Sequence, residues 1–387
     1  MIHSIAAYMD HHRQEMLALL ETLVGIQSGS KNKAGLDRVG RTIAREMEAM
    51  GFSCQFQDQT EYGNHLVARS PGNCSDKSQG PGKKPILITG HMDTVFPFDT
   101  AFNYYKEDEA RCFGPGVADM KGGLVVGIFA LKALKHTRLM PETPITFIFN
   151  SDEEIGSPSS RDLIQREARA SRFAYVLEAG GLSGQIVAGR KGNMSIRLAV
   201  EGQAGHAAFA EKHKASAILE LAHKIIAIER LNDPDCGITA NVGTIEGGLG
   251  PNTIAQHAKA AIDVRYIAAG DENRLLAKIR EIAALQTIPG TCCRMTLRTS
   301  RPAMPLTEAN MDLFRRIKGL ADGLGICVVP ELRQGVSDAN VIAHAGIPVI
   351  DGLGPMGAKD HSEDEYIEKK SLWERAVLFA NILAAID

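Results

Sequence analysis

No Cys-x-x-Cys pair occurs in the chain. Its seven cysteines, Cys54, Cys74, Cys112, Cys236, Cys292, Cys293 and Cys327, are an odd number spread over 387 residues. Such a set is no disulfide framework, and cysteine-ligated zinc usually draws on closely spaced pairs. A reducing cytoplasm is the expected setting. Also missing is any apolar run near the ~18 residues that a membrane span needs. The stretch MIHSIAAYMDHHRQEMLALLETLVGIQ lacks a basic segment followed by an apolar core and a small-residue cleavage site. It reads as an amphipathic helix, with Met16, Leu17, Leu20, Leu23 and Val24 on one stripe. An excess of positive charge is absent too: the net charge of -3 offers no footprint for nucleic acid or for an anionic membrane surface. Gly114-Pro115-Gly116 followed by Lys121-Gly122-Gly123 fits neither the dinucleotide fingerprint nor the Walker spacing, which argues against a nucleotide-dependent oxidoreductase.

What is present points to an enzyme-sized α/β protein. A chain of 387 residues exceeds the ~250–300 at which single cores stop growing, so two domains are expected. Hydrophobic content of 44% and charged content of 23% are ordinary for globular proteins. The first half alternates strands and helices, the pattern of an α/β sheet. Strands are predicted over 52–57, 65–69, 85–90, 144–150 and 173–177, and helices over 36–50, 121–136 and 159–170. Gly51 is placed as the C-terminal cap of the 36–50 helix. The Gly-, Pro- and Ser-rich stretch 71–84 reads as an exposed loop. From about 193 to 302 the order becomes strand, helix, strand, strand, helix, strand, a ferredoxin-like βαββαβ arrangement in the middle of the chain. Helix and strand signals then resume, over 311–320, 326–331, 348–351 and from 370 onward.

The residues that carry chemistry are His91, Asp93, Asp119, Glu153, Glu154, Glu178 and His361. PILITG runs into His91-Met92-Asp93, PITFIFN into Ser151-Asp152-Glu153-Glu154, and FAYVL ends at Glu178. An open α/β sheet builds its site at such strand ends. Singly, each has a plain structural reading: a packed histidine, a turn aspartate, a solvated acidic loop, a surface histidine. Together they deliver imidazole and carboxylate repeatedly to one sheet edge. Two histidines and three carboxylates suffice for two metals if one carboxylate bridges.

The strings GHMDTV, GPGVADMKGG, NSDEEIGS, GHAA and KDHSEDEYI resemble the family of dinuclear zinc exopeptidases and deacylases. That family includes glutamate carboxypeptidase, acetylornithine deacetylase, succinyl-diaminopimelate desuccinylase and aminoacylase. The resemblance spans nearly the whole chain. It implies a three-layer α/β/α catalytic domain from 1–192 and 303–387, with 193–302 inserted as a ferredoxin-like lid and dimerisation domain. It implies two zinc ions per subunit, with cobalt or manganese as substitutes. One ion would be held by His91 and Glu178 and the other by Glu154 and His361, with Asp119 bridging and a cis peptide after it. Asp93 would orient the His91 ring, and Glu153 would be the general base. His206 of the lid would stabilise the oxyanion across a homodimer, while Arg265 and Asn252 would hold the substrate's carboxylate. Glutamate at 178, where aminopeptidase members tend to carry aspartate, implies cleavage of a peptide or N-acyl amino acid next to a free carboxylate. The segment after Glu178 lacks the lysine that glutamate carboxypeptidases place near Gln185, whereas RPAM at 301–304 resembles that subgroup. The released side chain stays open, as do dipeptidase or aminopeptidase activity and a catalytically dead binding protein.

Overall fold

The computed structural model describes residues 2–71, 83–209 and 214–385. Most of the expected 71–84 loop therefore lies outside the described residues. The chain forms two compact units, one of Met1–Gly189, Leu306–Arg333 and Ser337–Asp387, the other of Arg190–Pro305 and Gln334–Val336.

The first unit is built on a six-stranded sheet. Its order is Ser53–Gln57, His65–Arg69, Ile145–Asn150, Ile86–His91, Ala174–Val176, Val349–Ile350. The last four strands run parallel to one another, and the first two are antiparallel additions. Alternation explains why the inner strands are apolar throughout. Ile145, Phe147 and Phe149 enter the large core with the helices Gly122–Thr137 and Lys369–Ala384, while Thr146 and Ile148 are buried on the opposite face. Arg161–Ala170 packs with Asp338–His344, and the latter packs on the strands Ala174–Val176 and Val349–Ile350. Both faces of the sheet are thus covered, giving the α/β/α layers.

Because four parallel strands share a direction, their C-terminal ends share one edge. His91, Asp152–Glu154, Glu178 and Asp351 all follow from that geometry.

The second unit has a four-stranded antiparallel sheet in the order Thr239–Gly247, His257–Tyr266, Gly192–Glu201, Cys292–Arg301. Helices Ala217–Glu229 and Asp271–Ala284 complete the βαββαβ order. Met194, Ile196, Leu198 and Val200 alternate inward and pack with Leu221, Leu275 and Ile279 in a core of their own.

Several details differ from the sequence reading. The N-terminal helix is two helices, Ile2–His11 and Arg13–Val24. They break at His12, whose ring stacks on Tyr8 at 3.9 Å and whose Nδ1 lies 2.7 Å from the Tyr8 carbonyl. The element signalled over 326–331 forms as the strand Val329–Arg333 and pairs with Gln185–Arg190, a strand the sequence pattern did not expose. Helix Asp338–His344 was likewise missed. Its capping box uses Ser337 with Asn340 in place of the usual Glu or Gln. Among the described residues no helix is long and apolar enough to cross a membrane.

Candidate metal centre and active site

Asp119 is the hub of the cluster. Its Oδ1 lies 2.9 Å from His91 Nε2 and its Oδ2 lies 3.1 Å from His361 Nε2. His361 Nε2 is also 3.2 Å from Glu154 Oε2, and His91 Nε2 is 3.7 Å from Glu178 Oε1. The five side chains come from three strand ends, the turn before helix Gly122–Thr137, and the loop before strand Tyr366–Glu368. The Asp119–Met120 peptide is cis, as the resemblance implies. His361 and Lys359 both have φ of 62°, a backbone region uncommon outside glycine, so the loop is bent sharply to bring the imidazole in.

Asp93 faces His91 Nδ1 with both its main chain and its side chain. The nearest acceptor for His91 Nδ1 is the main-chain oxygen of Asp93 at 2.9 Å, with the Asp93 carboxylate farther away at 3.4 Å. That carboxylate also accepts from the backbone N–H groups of Glu153 and Glu154 at 3.1 and 3.2 Å, and from Ser30 Oγ at 2.7 Å. It fixes the turn that carries the glutamate pair.

A carbonyl can only accept, so the neutral His91 ring keeps its proton on Nδ1 and presents a bare lone pair at Nε2. That lone pair faces carboxylate oxygens, an arrangement that repels unless a cation or a proton lies between. The titration behaviour tells the same story. Burial alone would lower the His91 pKa, but its hydrogen bonds to Asp119 and Asp93 and the nearby acidic charges raise it well above the ordinary value. Burial and the Asp119 charge push Glu154 up to about 8 and Glu178 well above the carboxylate range. Hydrogen bonds to Asp119 and Glu154 lift His361 to about 11. For Asp119, burial favours the neutral acid, but hydrogen bonds from His361 and His91 win and hold it well below its usual value. The pocket is short of positive charge, and its nitrogen and carboxylate donors suit a divalent metal. Ligand atoms of His91, Asp119 and Glu154 lie within 4.8 Å of one another, as do those of Asp119, Asp360 and His361.

Asp360 was not singled out from the sequence. Neither was Glu365, which is 1% exposed and accepts from the backbone N–H groups of Gly116, Ala118 and Asp119 at 2.9, 2.8 and 3.0 Å. Its only sequence signal is membership of the KDHSEDEYI string. Two further buried acids brace the same edge: Asp152 is bonded by Ser159 and Ser160, and Asp338 by Asn150 and Ser157.

The other candidates belong to the second unit. Strand Gly205–His206 pairs with Thr253–Ile254, and Ala207 N donates to Asn252 O at 2.9 Å, so His206 and Asn252 stand on neighbouring backbone. Ala208 N donates to His206 Nδ1 at 3.2 Å, which leaves the proton of the neutral ring on Nε2. Arg265 is on strand His257–Tyr266, its Nε donating to Asp263 Oδ2 at 2.8 Å.

The fold and this donor set define a metal-dependent hydrolase. The profile described as Peptidase family M20/M25/M40 matches residues 87–385, and the chain belongs to that family. Carboxypeptidase G2 of Pseudomonas sp. (strain RS-16) is 28% identical, over 95% of this chain and 88% of that one. The succinyl-diaminopimelate desuccinylase of Pseudoalteromonas atlantica is 27% identical, over 95% of this chain and 98% of that one. In fold, aminopeptidase PepT from Bacillus cereus is similar with a TM-score of 0.79, covering 96% of this chain and 98% of that one at 23% identity.

Proposed function

We propose that this protein is a dinuclear zinc hydrolase that cleaves the amide bond of a C-terminal amino acid or an N-acyl amino acid, with Glu153 as general base. The observation that carries this reading is the convergence of His91 Nε2 on Asp119 and Glu178 while His361 closes on Asp119 and Glu154. On this assignment His91 and Glu178 hold one ion, Glu154 and His361 the other, and Asp119 bridges. Two such ions would supply Lewis-acid polarisation of the scissile carbonyl and a water acidified toward neutral pH. Glu153, absent from that ligand set, takes the proton from the attacking water and returns it to the leaving nitrogen. Asp93 holds both glutamate N–H groups and so fixes the spacing between base and ligand. His206, with a proton on Nε2, donates to the oxyanion. Arg265 and Asn252 grip the substrate's carboxylate, for which a guanidinium fork is well shaped. Arg265 must share its Nε bond to Asp263 to do so. The second unit serves as lid and dimerisation domain. We place the enzyme in the cytoplasm.

The relatives named as a carboxypeptidase and a desuccinylase support a substrate with a free carboxylate. The test is kcat/KM for matched free-acid and amidated dipeptides and N-acyl amino acids, on wild type and Arg265→Ala, with zinc content measured alongside. An unpaired guanidinium costs about 1.5–3 kcal/mol, so amidation lowers kcat/KM roughly ten- to a hundredfold in wild type and little in Arg265→Ala. Equal rates on acid and amide in wild type would promote the dipeptidase or aminopeptidase reading. Tight metal binding with no hydrolysis of any substrate would point to a binding protein on this fold.

A further inference from the structure

The first unit contains a second concavity whose lining includes none of the five cluster residues. It has a volume of about 340 Å³, and its walls include Leu182, Ser183, Gly184, Cys327, Lys370 and Arg375. Arg375 lies on helix Lys369–Ala384 and is 2% exposed, yet neither Nη1 nor Nη2 has a hydrogen-bond partner among the described residues. Arginine has only donors to offer, and buried donors without acceptors are rare. The neighbouring groups do not meet the demand. Glu374 is committed to Lys370 Nζ at 2.9 Å. Arg333 adds repulsion, and its own donors go to Glu331 and to the Ala179 carbonyl at 2.8 Å. Burial brings the Arg375 pKa down to about 10, which still leaves it cationic at neutral pH.

The helix end adds to this charge. Lys370 and Ser371, in the first turn of a 16-residue helix, line the cavity, where the macrodipole is positive. The N-cap residue Glu368 makes no side-chain cap, because its carboxylate pairs with Arg111 at 3.0 Å. The backbone that leaves Glu178 passes directly over the guanidinium: a Cβ on Gly180 would sit 2.7 Å from Arg375 Nη2.

We propose that this cavity binds a small oxyanion, carboxylate or phosphate, whose oxygens accept the unpaired Arg375 donors. Guanidinium matches both chemistries through the same two-point geometry. The helix N-terminus then faces negative charge, and the segment leading away from Glu178 rests against an occupied site.

Cys327 supplies a local probe, being a free, exposed thiol in the cavity wall. The experiment measures site-resolved alkylation by iodoacetamide, read by mass spectrometry, on the full-length protein. Sodium phosphate and sodium acetate are titrated in separate arms against sodium chloride of equal ionic strength. Saturable protection of Cys327 is expected in at least one arm, with a rate lowered about tenfold at ten times the dissociation constant. Cys236 and Cys292, exposed thiols of the second unit, keep their rates. Protection by one anion alone identifies the ligand chemistry. Arg375→Gln abolishes the protection; should that variant not fold, Lys370→Ala weakens it. Absence of protection in wild type under both anions overturns the proposal, as does undiminished protection in Arg375→Gln. Neither readout needs turnover, so it stands or falls apart from the hydrolase assays.

Discussion

Glu153 and Glu154 are adjacent in the chain, and one Asp93 carboxylate holds both of their N–H groups, yet the proposed function gives their side chains different work. On the proposed assignment, Glu153→Gln keeps its metal because no ligand is lost, while kcat falls by about 10²- to 10⁴-fold because an amide accepts no proton. His361→Ala, in contrast, loses metal. Metal content by elemental analysis beside kcat separates the two, and an active Glu153→Gln would remove Glu153 from the role of base. Glu365 makes a second test at this scale. Its carboxylate accepts three N–H groups of the Gly116–Asp119 turn, and an amide offers one oxygen fewer. Glu365→Gln should therefore misplace Asp119 and weaken metal affinity by roughly 10- to 100-fold, as loss of a supporting partner typically does. A competitive chelator titration reads this directly; unchanged affinity would reduce Glu365 to a structural acid. The contrast with His91 shows what a sequence can reveal. His91, Glu154 and Glu178 each follow a readable apolar strand, so their shared edge was inferable. Glu365 and Asp93 work through backbone N–H groups brought to them only by the folded turns, and no residue pattern announces that.

At the scale of elements, the strands leading into the site were the most legible parts. His65–Arg69 has the bounds the sequence suggested, and Ile86–His91 and Ile145–Asn150 differ by a residue or so at their ends. Strands buried on both faces are continuous apolar runs bounded by polar residues, which is a strong signal. Gln185–Arg190 was hidden because Gly189 and Arg190 interrupt its apolar stretch, and its pairing with Val329–Arg333 joins distant segments. Close helix–strand approach is another feature invisible until folded. A Cβ on Gly123 would lie 1.8 Å from the carbonyl oxygen of Leu177, the residue before Glu178. Gly123→Ala must push helix Gly122–Thr137 off the strand, at a cost of about 1–3 kcal/mol in stability. It should also displace Glu178 and so lower metal affinity. Urea denaturation with and without zinc measures both effects; a variant as stable as wild type would mean that the helix has room the geometry denies.

For the whole molecule, the consequence of the cluster is a stability that depends on pH differently with and without metal. In the metal-free protein, burial and the Asp119 charge raise Glu154 from an ordinary 4.5 to about 8, and hydrogen bonds to Asp119 and Glu154 raise His361 from 6.5 to about 11. Both groups bind protons more tightly folded than unfolded. Their contributions are fully present below the unfolded values and are lost as pH rises through the folded ones. Asp119 has the opposite sign: its depressed pKa contributes stability that disappears only in acid, below its ordinary 3.8. Between roughly pH 5 and pH 9 the first two groups act together with His91, Glu178 and Glu365, which are shifted the same way. They outnumber Lys121, which burial lowers to about 7 and which acts with the opposite sign, so the stripped protein should lose stability as pH rises. Divalent metal takes the place of those protons and grows more tightly bound as its ligands deprotonate, so the loaded protein should show a flat or rising profile over that window. Melting temperatures across the range, with and without a chelator, give the two slopes. Parallel slopes would mean that these carboxylates and imidazoles hold no ion, whatever their arrangement suggests. His361→Ala offers the internal control, since it removes one of the two raised groups and should make the stripped profile shallower above pH 6.5.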